Sequence, residues 1–464
     1  MNAPYARRRA QLSKDMGSGL LLFLGNNEVG MNYADNTYRF RQDSTFLYFF
    51  GLDYPGLAAI IDVDEDQQIV FGNELTIDDI VWTGTQPTLR EKAATVGIGQ
   101  TLPMSELKNY IVKAQRKGQP VHFLPPYRGD HQVQLLELLG ILPAEQAERS
   151  SLPFIKAIVK QRNYKDLDEI RAIEESVDIS TEMHLAAYRK VRPGVHESEV
   201  AAVVEEVACR HGNALAFPTI ATVQGQVLHN HGFIHELREG DIFLLDAGAE
   251  TRTHYAGDLS SSMPVGERFT QRQAEVYEIH LRSFQAAIDT LKVGVPFRNA
   301  HIAAATEIAR GMKELGLMKG DPAEAAECGA YALFFPCGLG HMVGLDVHNM
   351  ENLGEQYVGY AEGEQKSTQF GFKSLRLARP LEPGFVFTVE PGIYFIPELM
   401  DKWEAEGQFR DFICYDRLGP WRDFTGLRNE LNYAVMPDGT VRQLGTIRKP
   451  MTIEEVYAAK SLNP

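Results

Sequence analysis

The sequence predicts an α+β protein with two domains: a smaller α/β domain, then a larger domain in which helices cover one curved antiparallel sheet. Three observations predict this. Short apolar runs separated by turn residues fill the chain up to about residue 155. Amphipathic helical patterns begin after that point, and apolar runs ending in glycine lie between the helices. We therefore expect the domains to span residues 1–155 and 156–464.

Composition and charge are those of a globular protein. Of the 464 residues, 44% are hydrophobic and 23% are charged, which are ordinary values. The net charge of −16 argues against nucleic acid and against an anionic membrane as partners. The amino terminus has no signal-peptide core, and no apolar run approaches the roughly 18 residues of a membrane span. The four cysteines show no CxxC spacing, so we expect reduced thiols and a cytoplasmic location.

Five apolar runs in the first domain are expected to form strands. They are GLLLFLG (19–25), STFLYFFGL (44–52), LAAIIDV (57–63), QQIVFG (67–72) and PVHFLPP (120–126). The aromatic stretch around STFLYFFGL is interpreted as a core strand with a loop. The alternative is a surface that shapes a substrate pocket in a partner subunit.

Four helices and five strands are predicted in the second domain. Thr270 and Gln273 form a capping-box pattern that opens the third helix, and glycine-containing stops follow the first two. The helices are expected at 164–191, 197–211, 271–293 and 297–317, and the strands near 216–229, 240–248, 339–349, 384–396 and 426–436.

Two of these strands carry an acidic residue at the same place in a shared pattern. GDIFLLDAG (240–248) and GFVFTVEPG (384–392) both read Gly, any residue, a β-branched aliphatic, Phe, any residue, an aliphatic, an acid, any residue, Gly. The pattern favours an internal structural repeat that places Asp246 and Glu390 in equivalent positions. A carboxylate at the edge of an apolar core needs a partner.

The acidic residues and one histidine match the ligands of a metal centre. Asp258 follows Asp246 by twelve residues, which fits a hairpin, and Glu430 follows Glu390. Close carboxylates repel, so a proton or a cation must lie between them. His341 adds the imidazole that favours transition metals, and four carboxylates with one histidine suit two divalent ions. Taken singly, each aspartate also fits a turn or cap, and His341 fits a hydrogen-bonded core residue.

Several separated motifs, in order, resemble the prolidase and aminopeptidase P branch of the pita-bread metallopeptidases. They are DAGAETRTHYAGDLSSSMP, GLGHMVGLDVH, LEPGFVFTVEPGIYF and GLRNEL, with NYADNTYRFRQDSTFLYFFGL similar to the amino-terminal domain of that branch. The resemblance covers nearly the whole chain and implies the pita-bread fold. It implies hydrolysis of the Xaa-Pro bond of dipeptides or short peptides by a hydroxide that bridges two metal ions. Aminopeptidase P activity on longer peptides is the alternative.

The resemblance also implies the metal ligands, the cofactor and the assembly. By analogy we expect two divalent ions, with manganese favoured and cobalt, iron or zinc compatible, and a homodimer. The implied metal ligands are Asp246, Asp258, His341, Glu390 and Glu430.

Four further residues receive a role from the resemblance. His229 matches a histidine that holds the substrate and the tetrahedral intermediate, and His348 matches one that faces the scissile carbonyl. Arg428 matches an arginine near the bridging glutamate, and Arg376, in KSLR, matches the prolidase arginine that binds a substrate carboxylate. Among the ligands, Glu390 is the expected proton shuttle.

Two departures from the family pattern stand out. The spacing between Asp246 and Asp258 is one residue longer than usual, and a bulge in the hairpin is expected to absorb it. Cys337 lies where prolidases typically have a substrate-pocket histidine. A slowed or inactive homologue therefore remains an alternative, as does a metal-free relative that acts on other C–N bonds or only binds peptides.

Overall fold

A computed structural model describes residues 3–461 and divides into two compact units. The first unit contains the chain up to Arg162 together with Met350–Gly354, and the second contains Asn163–Asn349 and the chain from Glu355 onward. The expected boundary between residues 155 and 156 stays a prediction. Among the described helices, none combines the length and hydropathy that crossing a bilayer requires.

The first unit is built on a mixed five-stranded sheet. Its order is β4-β3-β2-β1-β5, with antiparallel pairs β1–β2 and β2–β3 and parallel pairs β1–β5 and β3–β4. The strands are β1 (Leu20–Leu24), β2 (Ala58–Asp62), β3 (Gln67–Phe71), β4 (Gln100–Leu102) and β5 (Val121–His122). The helices are α1 (Ala3–Met16), α2 (Ser44–Phe50), α3 (Ile77–Thr83), α4 (Leu89–Ala94), α5 (Leu107–Arg116), α6 (Gly129–Leu139), α7 (Pro143–Arg149) and α8 (Leu152–Arg162).

The strand predicted over STFLYFFGL is wrong, because this stretch forms helix α2. Asp43 caps its first turn by accepting a hydrogen bond from the Phe46 backbone N–H. Gly51 ends it in the left-handed conformation, at φ 61°. All seven helical residues are buried, so the sequence shows no polar face by which a helix could be distinguished from a buried strand.

The second unit contains the four predicted helices in two packed pairs. The pairs are α9 (Leu167–Lys190) with α10 (Glu197–Arg210), and α11 (Gln271–Thr290) with α12 (Phe297–Glu314). The capping box between Thr270 and Gln273 is confirmed. Helix α9 lies against β7 and β8, and α11 lies against β9 and β10. The remaining helices are α13 (Pro322–Cys328), α14 (Glu355–Val358), α15 (Pro397–Glu406) and α16 (Ile453–Ser461).

The second unit's strands form three small antiparallel sheets, where the sequence predicted one. Their orders are β6-β7-β8, β13-β12-β9 and β10-β11. Pro391, which has no backbone N–H to donate, separates β9 from β10. The strands are β6 (Ile220–Thr222), β7 (Ile242–Ala247), β8 (Leu259–Pro264), β9 (Val386–Val389), β10 (Gly392–Tyr394), β11 (Gly426–Arg428), β12 (Leu431–Val435) and β13 (Val441–Gln443).

The strand predicted near 339–349 is also wrong. This segment is irregular and follows β9 through a single bridge between Met342 and Phe387 and a few backbone hydrogen bonds, such as Glu390 N–H to the Leu339 carbonyl at 2.8 Å. A side chain at Gly340 would collide with the Thr388 carbonyl. Glycine at position 340 therefore permits the close approach of this segment to β9, which brings His341 to the end of that strand.

Candidate metal centre

The first two predicted ligands lie on the β7–β8 hairpin. Asp246 of β7 pairs with Ser260 of β8, and Asp258 immediately precedes β8. The expected bulge is absent, because the Ala247–Leu259 pair and the more distant Glu250–Ala256 bridge follow the same register. The turn at 251–255 accommodates the extra length, with His254 at φ 67°.

The other two carboxylates lie at equivalent positions on the neighbouring sheet. Glu390 directly follows β9 and Glu430 directly precedes β12, and the adjoining residues Val389 and Leu431 are paired. Each of the two three-stranded sheets therefore contributes one acid from each strand of a pair. This arrangement agrees with the internal repeat inferred from the two nine-residue patterns.

His341 points one ring nitrogen toward these acids. Its Nε2 lies 3.2 Å from Asp258 Oδ2 and 3.5 Å from Glu390 Oε1. Its Nδ1 lies 3.1 Å from the Met342 carbonyl oxygen, so it carries the proton and leaves Nε2 as the ligand atom. Ligand atoms of Asp258, His341 and Glu430 all lie within 4.8 Å of one another. These three residues could hold a divalent cation.

Without a cation, burial makes the ionised forms of the clustered carboxyl groups unfavourable. Burial, aided by the neighbouring Asp246 carboxylate, raises the pKa of Asp258 to about 8. Burial also raises the pKa of Glu430 and of Glu390, and it lowers the pKa of His341. Near neutral pH Asp258 therefore keeps a proton, and His341 stays neutral, until a cation displaces that proton.

Arg428 connects the two halves of the cluster. Its buried guanidinium donates from Nη2 to Asp246 Oδ2 at 2.5 Å, from Nη1 to the Tyr394 hydroxyl at 2.8 Å and from Nε to Ser260 Oγ at 2.8 Å. The Ser260 hydroxyl in turn donates to Glu430 Oε2 at 2.8 Å. Tyr394 and Ser260 had no role in the sequence-based site, although both lie within its motifs.

The donor set fits a divalent metal. Asp246 Oδ1 and Glu430 Oε1 are buried and have no hydrogen-bond partner among the described residues, and buried polar atoms are rarely left in that state. The remaining oxygens of these two side chains are already held by Arg428 and Ser260. Two oriented carboxylates thus keep one oxygen each for a ligand that is neither a protein donor nor bulk water.

One cavity of about 460 Å³ brings all the predicted site residues together. The His348 ring lies 4.3 Å from the His341 ring, centroid to centroid. His231 lines the same cavity but was missed by the sequence-based prediction, although its spacing from His229 in VLHNHG was a visible signal. The predicted residues that line the cavity are His229, Asp246, Asp258, Cys337, His341, His348, Arg376, Glu390, Arg428 and Glu430. Their individual roles stay predictions.

Two of these residues have neighbours that bear on substrate binding. The Cys337 thiol lies 4.0 Å from the Tyr394 hydroxyl, and burial, aided by Glu390, raises its pKa to about 12. Arg376 Nε lies 2.9 Å from Glu355 Oε1. The cavity wall therefore combines a neutral thiol with a cation held by a carboxylate.

Comparison with known proteins agrees with this geometry. Residues 171–436 match metallopeptidase family M24, and residues 5–122 match the aminopeptidase P N-terminal domain. Human Xaa-Pro dipeptidase is 28% identical over 453 residues, which cover 95% of this chain and 88% of that protein. Xaa-Pro aminopeptidase of Escherichia coli strain K12 is 26% identical and covers 98% of this chain and 97% of its own.

Solved structures confirm the predicted fold. Zinc-substituted E. coli aminopeptidase P in complex with product superposes with a TM-score of 0.79 at 25% identity, over 99% of this chain and 98% of that one. This likeness confirms the pita-bread fold and the resemblance stated from the motifs. Because the matched family segment covers more than half of the 464 residues, the protein belongs to metallopeptidase family M24.

Proposed function

We propose that the protein is a dinuclear-metal exopeptidase that hydrolyses the Xaa-Pro bond of dipeptides or short peptides. The observation that carries the proposal is the convergence of four carboxylates and one histidine on a single cavity. Relatives named Xaa-Pro dipeptidase and Xaa-Pro aminopeptidase support the substrate class. The metal-free alternative loses support, because every candidate ligand position carries a ligand and two buried oxygens lack partners.

The five candidate ligands suit two ions. Asp246 and Asp258 would hold one ion, His341 and Glu390 the other, and Asp258 and Glu430 would be shared between them. The ions supply Lewis acidity, which activates water and polarises the scissile carbonyl. Manganese is the expected metal, with cobalt, iron and zinc also compatible with this donor set.

The protein's own residues position the substrate and move protons. His229 and His348 line the cavity, and their imidazoles would donate to the carbonyl oxygen as negative charge develops there. Glu390 would carry a proton to the proline nitrogen, which needs one to leave because the tertiary amide has none. Arg428 holds Asp246 in place throughout.

Arg376 would bind the terminal carboxylate of a dipeptide and so favour short substrates. Replacing Arg376 with Ala is expected to raise KM for Xaa-Pro dipeptides more than for longer Xaa-Pro peptides. Equal effects on both lengths would contradict this role. Aminopeptidase P activity on longer peptides is the second candidate, because relatives with both names match nearly the full length of the chain.

The test combines metal content with a panel of peptides. We expect about two equivalents of metal per chain after reconstitution with manganese, and hydrolysis of Gly-Pro faster than of Gly-Pro-Gly. Asp246→Asn is expected to lower the metal content and abolish turnover, whereas the matched substitution Asp438→Asn, at an acid outside the cavity, should change neither. Metal-loaded protein that cleaves no Xaa-Pro peptide would refute the proposal.

Two further measurements address the role of Cys337 and the oligomeric state. If the thiol slows the enzyme, Cys337→His will exceed the parent in kcat, and equal rates will remove the slowed-homologue alternative. Sedimentation of the metal-loaded protein tests the expected homodimer.

A further inference from the structure

We propose that Glu355 is a positioning residue that fixes the Arg376 guanidinium for the carboxylate of a short substrate. The inference rests on the proposed role of Arg376 and extends it to a residue that the sequence motifs do not mark. Glu355 is the first residue of helix α14 and lies 21 positions before Arg376.

The two side chains form an ion pair beside the cavity. Arg376 Nε lies 2.9 Å from Glu355 Oε1, and the side chains are 31% and 19% exposed. The Lys366 ammonium pairs with the other oxygen, Oε2. The Glu355 carboxylate thus contacts each of the two cations through a separate oxygen. Its contact with Arg376 restricts the orientation of the guanidinium that would face the substrate carboxylate.

The backbone holds Glu355 and Arg376 together independently of the ion pair. A side chain at Gly359, which follows α14, would collide with the Arg376 carbonyl, so only glycine permits this approach. The Gly359 carbonyl accepts hydrogen bonds from Ala378 N–H at 2.8 Å and Arg379 N–H at 3.0 Å. The helix that carries Glu355 is therefore packed against the chain that carries Arg376.

A neighbouring contact strengthens this packing. The buried Tyr360 hydroxyl donates to the Leu375 carbonyl at 2.7 Å, one residue before Arg376. Loss of the Glu355 charge is consequently not expected to release the segment. It is expected to release only the guanidinium, whose long side chain would regain rotamer freedom that substrate binding must then remove.

The specific consequence is a loss of recognition for a carboxylate but not for an amide. Proline and prolinamide differ only in whether they carry a carboxylate or an amide. Comparing their Kd values therefore isolates the contribution of the carboxylate to binding. Titration calorimetry of manganese-loaded protein with each compound measures binding without turnover. For Glu355→Gln we expect the Kd for proline to rise about tenfold and the Kd for prolinamide to stay within about twofold of the parent value.

Lys366→Met is the matched control, since it removes the other partner of Glu355 and leaves the Arg376 pair intact. It is expected to change neither Kd by more than about twofold. Glu355→Asp should weaken proline binding less than Glu355→Gln does, and thermal melting of each variant verifies folding.

Three outcomes would overturn the inference. They are an equal loss for proline and prolinamide in Glu355→Gln, the same loss in Lys366→Met, or tighter proline binding, which would make Glu355 a competitor of the substrate. If Arg376→Ala leaves proline binding unchanged, the proposed role of Arg376 is wrong, and the inference about Glu355 fails with it. Failure of the proposed function would look different, because it is an absence of Xaa-Pro hydrolysis by the parent protein.

Discussion

Metal binding near neutral pH should release protons, because burial and a neighbouring carboxylate raise the pKa of the candidate ligand Asp258. Asp258 is almost completely buried beside Asp246, and its pKa is raised to about 8. A metal ion binds the ionised carboxylate, so the proton must leave when the ion enters. The number of protons released per ion is therefore a direct readout of the buried cluster.

The magnitude follows from the pKa of Asp258. At pH 7 a group with a pKa of about 8 is about nine-tenths protonated, and at pH 9 only about one-tenth. Asp258 alone therefore contributes about 0.9 proton at pH 7 and about 0.1 at pH 9. Burial also raises the pKa of Glu390 and of Glu430, which acts in the same direction. His341 adds none, because burial lowers its pKa and keeps it neutral.

Calorimetric titration of manganese into metal-free protein, in buffers of different ionisation enthalpy, measures this number. We expect at least about one proton per chain at pH 7 and a fall of at least about half a proton by pH 9. Asp258→Asn should reduce both the release at pH 7 and its pH dependence. A release below about half a proton at pH 7, or equal release at both pH values, would refute the reasoning.

Further predictions concern stability and reactivity. Because its pKa is raised to about 8, Asp258 holds a proton in the metal-free fold that it loses in the unfolded chain, so urea melts should show the stability of the parent falling relative to that of Asp258→Asn as pH rises from about 4 toward 8. Arg428→Met leaves a buried carboxylate unpaired and should cost about 3–5 kcal/mol of unfolding free energy, with a loss below about 1 kcal/mol contradicting its bridging role. Lys449, which is 2% exposed, donates three hydrogen bonds to buried acceptors. Urea melts of Lys449→Met should therefore show a loss of about 1–3 kcal/mol or more in unfolding free energy. At pH 8, iodoacetamide should label the exposed Cys209 and Cys328 well before Cys337. The reason is that burial raises the pKa of the Cys337 thiol to about 12. Mass spectrometry that finds Cys337 labelled first would contradict this prediction.

Local signals in the sequence were sufficient for the four long helices of the second unit and for several strands. Helices α9 to α12 carry apolar residues at helical spacing, and the Thr270–Gln273 capping box marks the residue at which α11 begins. Strands β7 and β9 were predictable because each apolar run stops at an acid, Asp246 near the end of β7 and Glu390 directly after β9. Such features depend only on neighbours along the chain.

Other elements depended on contacts that no local pattern contains. The aromatic stretch of α2 is buried on every side, so its helical period is hidden. The segment around His341 resembles a strand, yet it is held beside β9 because Gly340 allows close approach to Thr388. The pairing of Glu355 with Arg376 likewise joins residues that are linked only by the packing of Gly359.

The sequence by itself determined the ligand types, their order along the chain and, through its motifs, the family. Only the tertiary structure decided that Arg428 and Ser260 each take one carboxylate oxygen and leave another unpaired. It also decided that Asp258 keeps a proton near neutral pH, because its pKa is raised to about 8, and that His341 is a neutral imidazole, because its pKa is lowered. The physical reason is that hydrogen-bond allocation and pKa depend on burial and on the approach of charges from distant segments, which amino-acid identity along one strand does not specify.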